Sequence, residues 1–291
     1  MAKRVTASVV IPAHNEAQVV EATLRTLLGD VVPGTFDVVV VCNGCSDDTA
    51  DRARSVAGVR VVEIAEPSKA RATVVGNRAT TVFPRVHLDA DVAITGADVL
   101  RLVEPIRAGT ALATGPRRVV PTDGCSWVVR AYYRVWQSLP EVRSGLFGRG
   151  VVALSAAGQA RVDLRAGMMN DDLAMSEAFL PTERQVVTEA TVVVHPPRTT
   201  ADLVLRRTRV ATGNTQAADL GVRRTSATSL TTLAALAVRD PRLALRVPVF
   251  LAVGLVARRR SRRAVRAGDY TTWLRDESSR LRTERPQTSS R

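Results

Sequence analysis

The chain has 291 residues, 45% of them hydrophobic and 24% charged, a balance that fills one or two ordinary cores and excludes disordered, collagenous and disulfide-stapled polypeptides. Aromatic residues make up only 4%, which counts against stacking platforms for single-stranded nucleic acid. The formal charge of +13 is confined to the last third: basic and acidic residues number 21 each over 1–194, then 20 and 7 over 195–291.

The near-neutral first part therefore reads as a catalytic or ligand-binding domain. The tail reads as a segment that meets an anionic surface, lipid headgroups or nucleic acid. Cys42, Cys45 and Cys125 are an odd set in a chain that needs no staples, which predicts a reducing, cytoplasmic setting. The apolar run 5–11 gives way at once to Pro12, His14, Asn15 and Glu16, so no signal peptide is expected. The longest uncharged apolar run, 247–257, has 11 residues against about 20 for a spanning helix.

In chain order, β-branched runs at 5–11, 37–41, 59–64, 86–88 and 110–114 predict strands, and 16–28, 46–56, 69–80 and 97–107 predict the helices between them. Then come a helix at 127–139, a strand at 151–154, an acidic turn at Asn170-Asp171-Asp172, a strand at 186–194, a helix from Thr200 and basic helical segments from about 225. The βαβ rhythm, with no polar alternation from Val38 to Val41, predicts an α/β fold: an open, mostly parallel sheet with helices on both faces. The expected organisation is an α/β domain over 1–213, a basic helical extension over 214–281 and a disordered tail over 282–291.

Open α/β sheets bind ligands beyond the C-terminal ends of their strands, so the residues there carry the chemistry. After the fourth strand, Asp89-Ala90-Asp91 places two carboxylates on one site if Ala90 points away, and a divalent cation relieves their repulsion. The competing reading is an N-cap for the helix around Asp98. After the second strand, Gly44 permits a tight turn in which Asn43 and Asp47 can read the polar edge of a nucleobase, while Ser46 also reads as an N-cap. Cys42-Asn43-Gly44-Cys45 has thioredoxin-type spacing, which keeps a thiol oxidoreductase open. Asp171 and Asp172 supply a general base or cap a helix. His195, fixed at the exit of a strand, is either a ligand or an ordinary surface residue.

In this order the motifs resemble the family 2 glycosyltransferases of the GT-A fold, over about residues 5–213. Val9 to Glu16 is similar to the family's opening strand and donor-site turn, and Val41 to Thr49 to its second loop, with Asn43 in the place of the acidic residue that reads the base. Ser68-Lys69-Ala70-Arg71-Ala72 is similar to the GKAxA stretch, His87 to Asp91 to the DxD segment, and Asp171-Asp172-Leu173 to the ED pair. Val194-His195 resembles a late histidine that is a metal ligand in several relatives, and Leu205 to Arg209 with Gly213 is a partial match to the QxxRW region.

The resemblance implies an inverting, hexosyltransferase-type enzyme that moves a sugar from a nucleoside diphosphate donor to a hydroxyl acceptor, a lipid-linked or cell-envelope glycan among the candidates. It implies donor contacts at Pro12, Ala13, His14, Glu16, Asn43, Asp47, Lys69, Asp89, Arg207 and Arg209, a Mn²⁺ or Mg²⁺ ion on Asp91 and His195, and catalysis by Asp172 with Asp171 beside it. Three positions depart from the pattern: Asp171 stands for the usual Glu, Val210 for a Trp, and Thr73-Val74-Val75 lacks the usual Asn. Without that Trp or any spanning helix, a processive synthase is not expected. The basic stretch 243–266 is expected to touch the inner face of an anionic membrane, the alternative being a core-packing helix with a solvated arginine cluster, and no nucleic-acid partner is expected. A nucleotidyltransferase-like or non-catalytic nucleotide-binding protein is the runner-up, weakened because Pro12 to Glu16 contains no glycine to cradle a triphosphate.

Overall fold

The computed structural model describes residues 5–162, 175–219 and 228–266. They divide into two compact units, one within 1–119, 139–194 and 214–229, the other within 120–138, 195–213 and 230–291. The expected boundary at 213/214 thus falls inside a helix, α8 (Thr200–Asp219), rather than in a linker.

The first unit is a seven-stranded sheet of β1 (Ala7–Ala13), β2 (Phe36–Asn43), β3 (Val59–Ile64), β4 (Arg85–Leu88), β5 (Ala113–Val119), β6 (Val151–Leu154) and β7 (Arg184–Val193), in the order β3-β2-β1-β4-β6-β5-β7. All neighbouring pairs are parallel except those of β6 with β4 and β5. Helices α1 (Val20–Leu28), α2 (Thr49–Arg54), α3 (Lys69–Arg78) and α4 (Gly96–Arg107) connect the parallel strands. Two short helices, α6 (Pro140–Ser144) and α7 (Ala156–Arg161), flank β6.

The central strands explain their own composition. Val38 and Val40 join the cluster formed with Val9, Ile11, Leu24 and Leu27, while Val39 and Val41 join Ala72 on the other face. Because side chains alternate across a strand, a run of four valines fills both layers at once. Each fully buried Leu or Ile of this core contributes on the order of 1.5–3 kcal/mol. Helix α3 lies especially close to the sheet: a Cβ at Gly76 would stand 2.4 Å from Val10 Cγ1.

Several boundaries differ from expectation, two of them for a physical reason that the contacts show. Strand β5 runs to Val119 instead of ending before Gly115-Pro116, because its pairing with β7 shifts register between Pro116 and Arg117. An irregularity of this kind tolerates a residue with no N–H to give. Helix α2 starts at Thr49, so Ser46 is not its N-cap; the Ser46 amide instead donates to Asn15 Oδ1 at 2.8 Å.

The second unit gathers α5 (Trp127–Trp136), the first part of α8, α9 (Leu230–Arg239), α10 (Pro241–Ala244) and α11 (Val247–Arg266). Its core is Tyr132, stacked on Phe250 at 5.0 Å and packed with Val129, Leu203 and Val253. Thr212 on α8 and Ser261 on α11 hydrogen-bond through their hydroxyls at 3.1 Å. Among the described residues no helix is long and apolar enough to cross a membrane.

Candidate active site

Strands β1, β2 and β4 run in parallel, so their C-terminal ends open on one edge of the sheet, and a pocket lies there in the first unit. Its walls come from Pro12 of β1, Lys69 and Thr73 of α3, His87 and Leu88 of β4, Asp89, and Gly150 and Val151 leading into the antiparallel β6. Met175 completes the lining.

Asp89-Ala90-Asp91 opens a turn beyond β4, the Val92 amide donating to the Asp89 carbonyl at 3.1 Å. Ala90 is buried and its carbonyl accepts the Thr23 hydroxyl of α1 at 2.9 Å, which pins the central residue inward. Asp89 sits on the pocket wall with its amide donating to the Gly150 carbonyl at 2.8 Å, and Asp91 is exposed. The pair is no helix cap: the first turn of α4 is capped by Thr95 Oγ1, which accepts from the Asp98 amide at 3.1 Å, and by Asp30, whose carboxylate accepts from Gly96 and Ala97.

Lys69 opens α3, whose N-cap Ser68 accepts from the Arg71 amide at 3.2 Å. The Lys69 ammonium stands 2.7 Å from Asp89 Oδ1, with both side chains about one-third exposed (31% and 38%). At that exposure the pair is worth no more than about 1 kcal/mol to the fold, so its significance lies in positioning charge rather than in stability.

Gly150 fixes how closely β6 approaches. Its φ is +68°, and a Cβ there would come within 2.5 Å of Val92 Cγ2 and 3.2 Å of Asp89 Oδ2. Gly150→Ala is therefore expected to push the Asp89–Val92 turn out of place and lower stability by about 1–3 kcal/mol, read as a fall in Tm, with any ligand binding at the Asp89 pocket weakened in parallel.

The turn that presents Gly150 is held by two arginines that sequence reasoning missed. Arg149, 2% exposed, donates to the carbonyls of Gly145, Pro116 and Arg143, and Arg118 donates to those of Phe147, Gly148 and Val142. Burial, reinforced by the Arg118 guanidinium, pushes the Arg149 pKa down to about 9. Carbonyl dipoles, not a carboxylate, are what its hydrogen bonds reach.

The loops after β1 and β2 are locked to each other. Asn43 is buried, with Nδ2 donating to the Ala13 carbonyl at 2.8 Å, and the His14 ring nitrogen Nδ1 lies 2.6 Å from the Asn43 carbonyl. The Glu16 amide donates to Thr49 Oγ1 at 2.8 Å. Asp47 accepts from the amides of Thr49 and Ala17 and from the Thr49 hydroxyl; partial burial works against ionisation, but these donors hold its carboxyl below the usual range. The side chains of Asn43 and Asp47, expected to read a base, thus bond to the loops' own backbone and to Thr49.

The thioredoxin-type reading fails on two counts. Cys42 is buried in β2, and burial with the neighbouring Cys45 thiol pushes its pKa up to about 12, the reverse of a reactive thiolate. Helix α2 begins only at Thr49, beyond Cys45, so no helix N-terminus adjoins either sulfur.

The second unit holds His195, Arg207 and Arg209. His195 is exposed and its carbonyl accepts from Arg206 at 3.1 Å, while the Arg207 guanidinium lies 5.7 Å from the centre of the Tyr132 ring. Asp171 and Asp172 lie outside the described residues. Among the described residues no cluster of three or more metal-capable side chains is assembled. Asp91 and Asp89 nevertheless fit a hard cation, since such ions are commonly bound by one or two carboxylates together with water and substrate phosphates.

Residues 8–152 match the model of the family described as glycosyl transferase family 2. Curated proteins described as uncharacterized glycosyltransferases, from Mycobacterium bovis and Mycobacterium tuberculosis, are 32% identical over 123 residues, 42% of this chain and 54% of theirs. The match spans only about half the length of those relatives. Among solved structures, the mannosyltransferase PcManGT from Pyrobaculum calidifontis, in complex with GDP-Man and Mn²⁺, aligns with a TM-score of 0.60 at 20% identity over 92% of this chain and 77% of that one. Glucosyl-3-phosphoglycerate synthase from Mycobacterium tuberculosis, in complex with Mn²⁺, UDP-Glc and phosphoglyceric acid, aligns with a TM-score of 0.54 at 22% identity over 76% and 81%. At these identities the likeness is one of fold.

Proposed function

The chain belongs to glycosyl transferase family 2, and on that premise we propose that it transfers a sugar from a nucleoside diphosphate sugar to an acceptor hydroxyl with inversion at the anomeric carbon. The observation that carries this reading is the Lys69–Asp89 ion pair on the wall of the strand-end pocket, with the exposed Asp91 two residues on. A cation and two carboxylates at a strand end can sort the charges of a diphosphate and its counter-ion. The family resemblance, rather than the geometry, brings His195, Arg207, Arg209, Asp171 and Asp172 into the reading.

In this assignment Asp91, with Asp89 beside it and His195 as a further ligand, would hold a Mn²⁺ or Mg²⁺ ion, whose chemistry is to neutralise the departing diphosphate. An imidazole ligand favours Mn²⁺. Both solved relatives named above hold Mn²⁺ with a nucleotide sugar, which supports the choice. Lys69 meets the phosphate oxygens, a role the resemblance extends to Arg207 and Arg209, and the loops that follow Ala13 and Asn43 form the base and ribose side, with Pro12, His14, Glu16 and Asp47 shaping it. Asp172 takes the acceptor proton as the acceptor oxygen attacks C1 from the face opposite the leaving group, with Asp171 the other acid of the pair.

We assign the acceptor to the lipid-linked or cell-envelope glycans, met at the inner face of the membrane. The support is the net positive charge of the last third of the chain, which an anionic leaflet attracts.

The test is thermal unfolding with UDP, GDP, CDP and dTDP and their sugars, with and without Mn²⁺. A ligand at 100 times its Kd adds about 2.7 kcal/mol, which in a chain of this size raises Tm by about 5–10 °C. One diphosphate is expected to do so, and only with metal. Equal stabilisation by all four without metal, or by none with it, would remove the donor-site assignment.

A further inference from the structure

Helix α11 has two faces of different fate. Phe250, Val253, Ala257 and Ser261 recur every three or four residues, and the last three are buried in the second unit, packed with α5. The opposite face carries Leu251, Leu255 and Val256, exposed by 41%, 50% and 40%, and continues into the exposed Arg259, Arg262 and Arg263. Leu245, just ahead of the helix, is 81% exposed. Soluble surfaces do scatter single apolar residues, but an apolar stripe spaced along one helix face marks a contact.

The charge around the stripe selects the occupant. Between residues 228 and 266 there are nine arginines and one acidic residue, Asp240, and the arginines fall on both sides of the apolar stretch: 239, 242 and 246 before it, 258–263 and 266 after it. A second copy of the chain would set arginine against arginine. Nucleic acid would match the charge but leave the leucines without an apolar partner. An anionic bilayer answers both features, taking the leucines at the acyl boundary and the guanidinium groups among the headgroups.

We propose that the outer face of α11 is a docking face for anionic lipid, lying in the plane of the membrane with Leu251, Leu255 and Val256 inserted and the arginines at either end on headgroup phosphates. This rests on the membrane-side acceptor reading above and gives it a specific element. The buried face keeps its packing on α5, so insertion requires no unfolding of the second unit. The inserted length, on the order of 9 Å, lies on the membrane and does not cross it.

Flotation of the full-length protein with vesicles tests this, using phosphatidylcholine alone and phosphatidylcholine mixed with phosphatidylglycerol. Binding is expected only to the mixed vesicles, with a fraction surviving high salt. Leu251→Ser/Leu255→Ser should remove the salt-resistant fraction and lower partitioning by about 10-fold or more. Arg259→Glu/Arg262→Glu/Arg263→Glu should lower it by about 100-fold or more. Equal binding to both vesicle types, no binding to either, loss of binding after nuclease treatment, or a dimer in solution that the leucine pair disrupts would each overturn the proposal. Both variants should keep the nucleotide-dependent rise in Tm; if wild-type protein lacks that rise, the donor reading fails independently of the vesicle result.

Discussion

Replacing Asp172 with Asn is expected to lower kcat by about 100- to 10,000-fold, the usual range for removing a positioned general base, while the metal- and donor-dependent rise in Tm persists. An alcohol is a poor nucleophile while it keeps its proton, and in an inverting transfer the carboxylate must accept that proton as the new bond forms. Asn keeps the size and one carbonyl oxygen of Asp but cannot become the acid. A base of this kind serves the acceptor, so KM for the donor should change little, which is the pattern for an interaction made only in the transition state. Asp171→Asn should cost less, because this assignment makes Asp172, not Asp171, the proton acceptor. If Asp172→Asn kept near-wild-type kcat and Asp171→Asn did not, the two roles would be exchanged.

How far the sequence discloses this site depends on whether a requirement is local. Val38 to Val41 are legible because burial on both faces removes the polar alternation of a half-exposed strand. Asp89-Ala90-Asp91 is legible only in part: its place just after a strand can be read from the sequence, but the chain turns there, the Val92 amide donating to the Asp89 carbonyl at 3.1 Å, and what holds Ala90 is Thr23, remote in sequence. Arg149 and Arg118 are opaque, since their partners are backbone carbonyls that every residue possesses. Gly150 gives no signal either, because what excludes a Cβ is Val92 and Asp89, remote in sequence.

Elsewhere the sequence discloses polarity but not the local partner. Asn43 and Asp47 have side chains suited to a nucleobase edge, yet the same atoms satisfy the backbone of two loops that leave adjacent strands. Short polar side chains commonly make such local bonds. Ser46 was expected at a helix start, but the chain needs three more residues to turn, and Thr49 is where the helix begins. Strand β5 continues past the expected 110–114 and through Pro116, whose missing N–H is a liability in a regular ladder; the shift in pairing beside it removes that liability.

The Lys69–Asp89 pair makes the second large prediction one of opposite signs. Asp91→Ala removes the exposed carboxylate and is expected to weaken Mn²⁺ binding, read by titration without nucleotide, by about 100-fold, since it deletes one of the few carboxylates such an ion takes and changes merely beside a ligand already cost about 10- to 100-fold. Lys69→Met should do the reverse in the same titration. The ammonium 2.7 Å from Asp89 Oδ1 competes with a cation for that carboxylate, so its removal takes away one positive charge beside the place a divalent ion would occupy. Mn²⁺ alone should then bind several-fold more tightly, even as the donor binds more weakly for want of a positive charge opposite its phosphates. Asp89→Ala separates the alternatives: it should weaken metal and donor binding together, whereas a merely structural pair would lower Tm and leave both affinities unchanged. Tighter metal with looser donor in Lys69→Met is the outcome that a structural ion pair cannot produce, and weaker Mn²⁺ binding in that variant would show that Lys69 supports the cation site instead of competing with it.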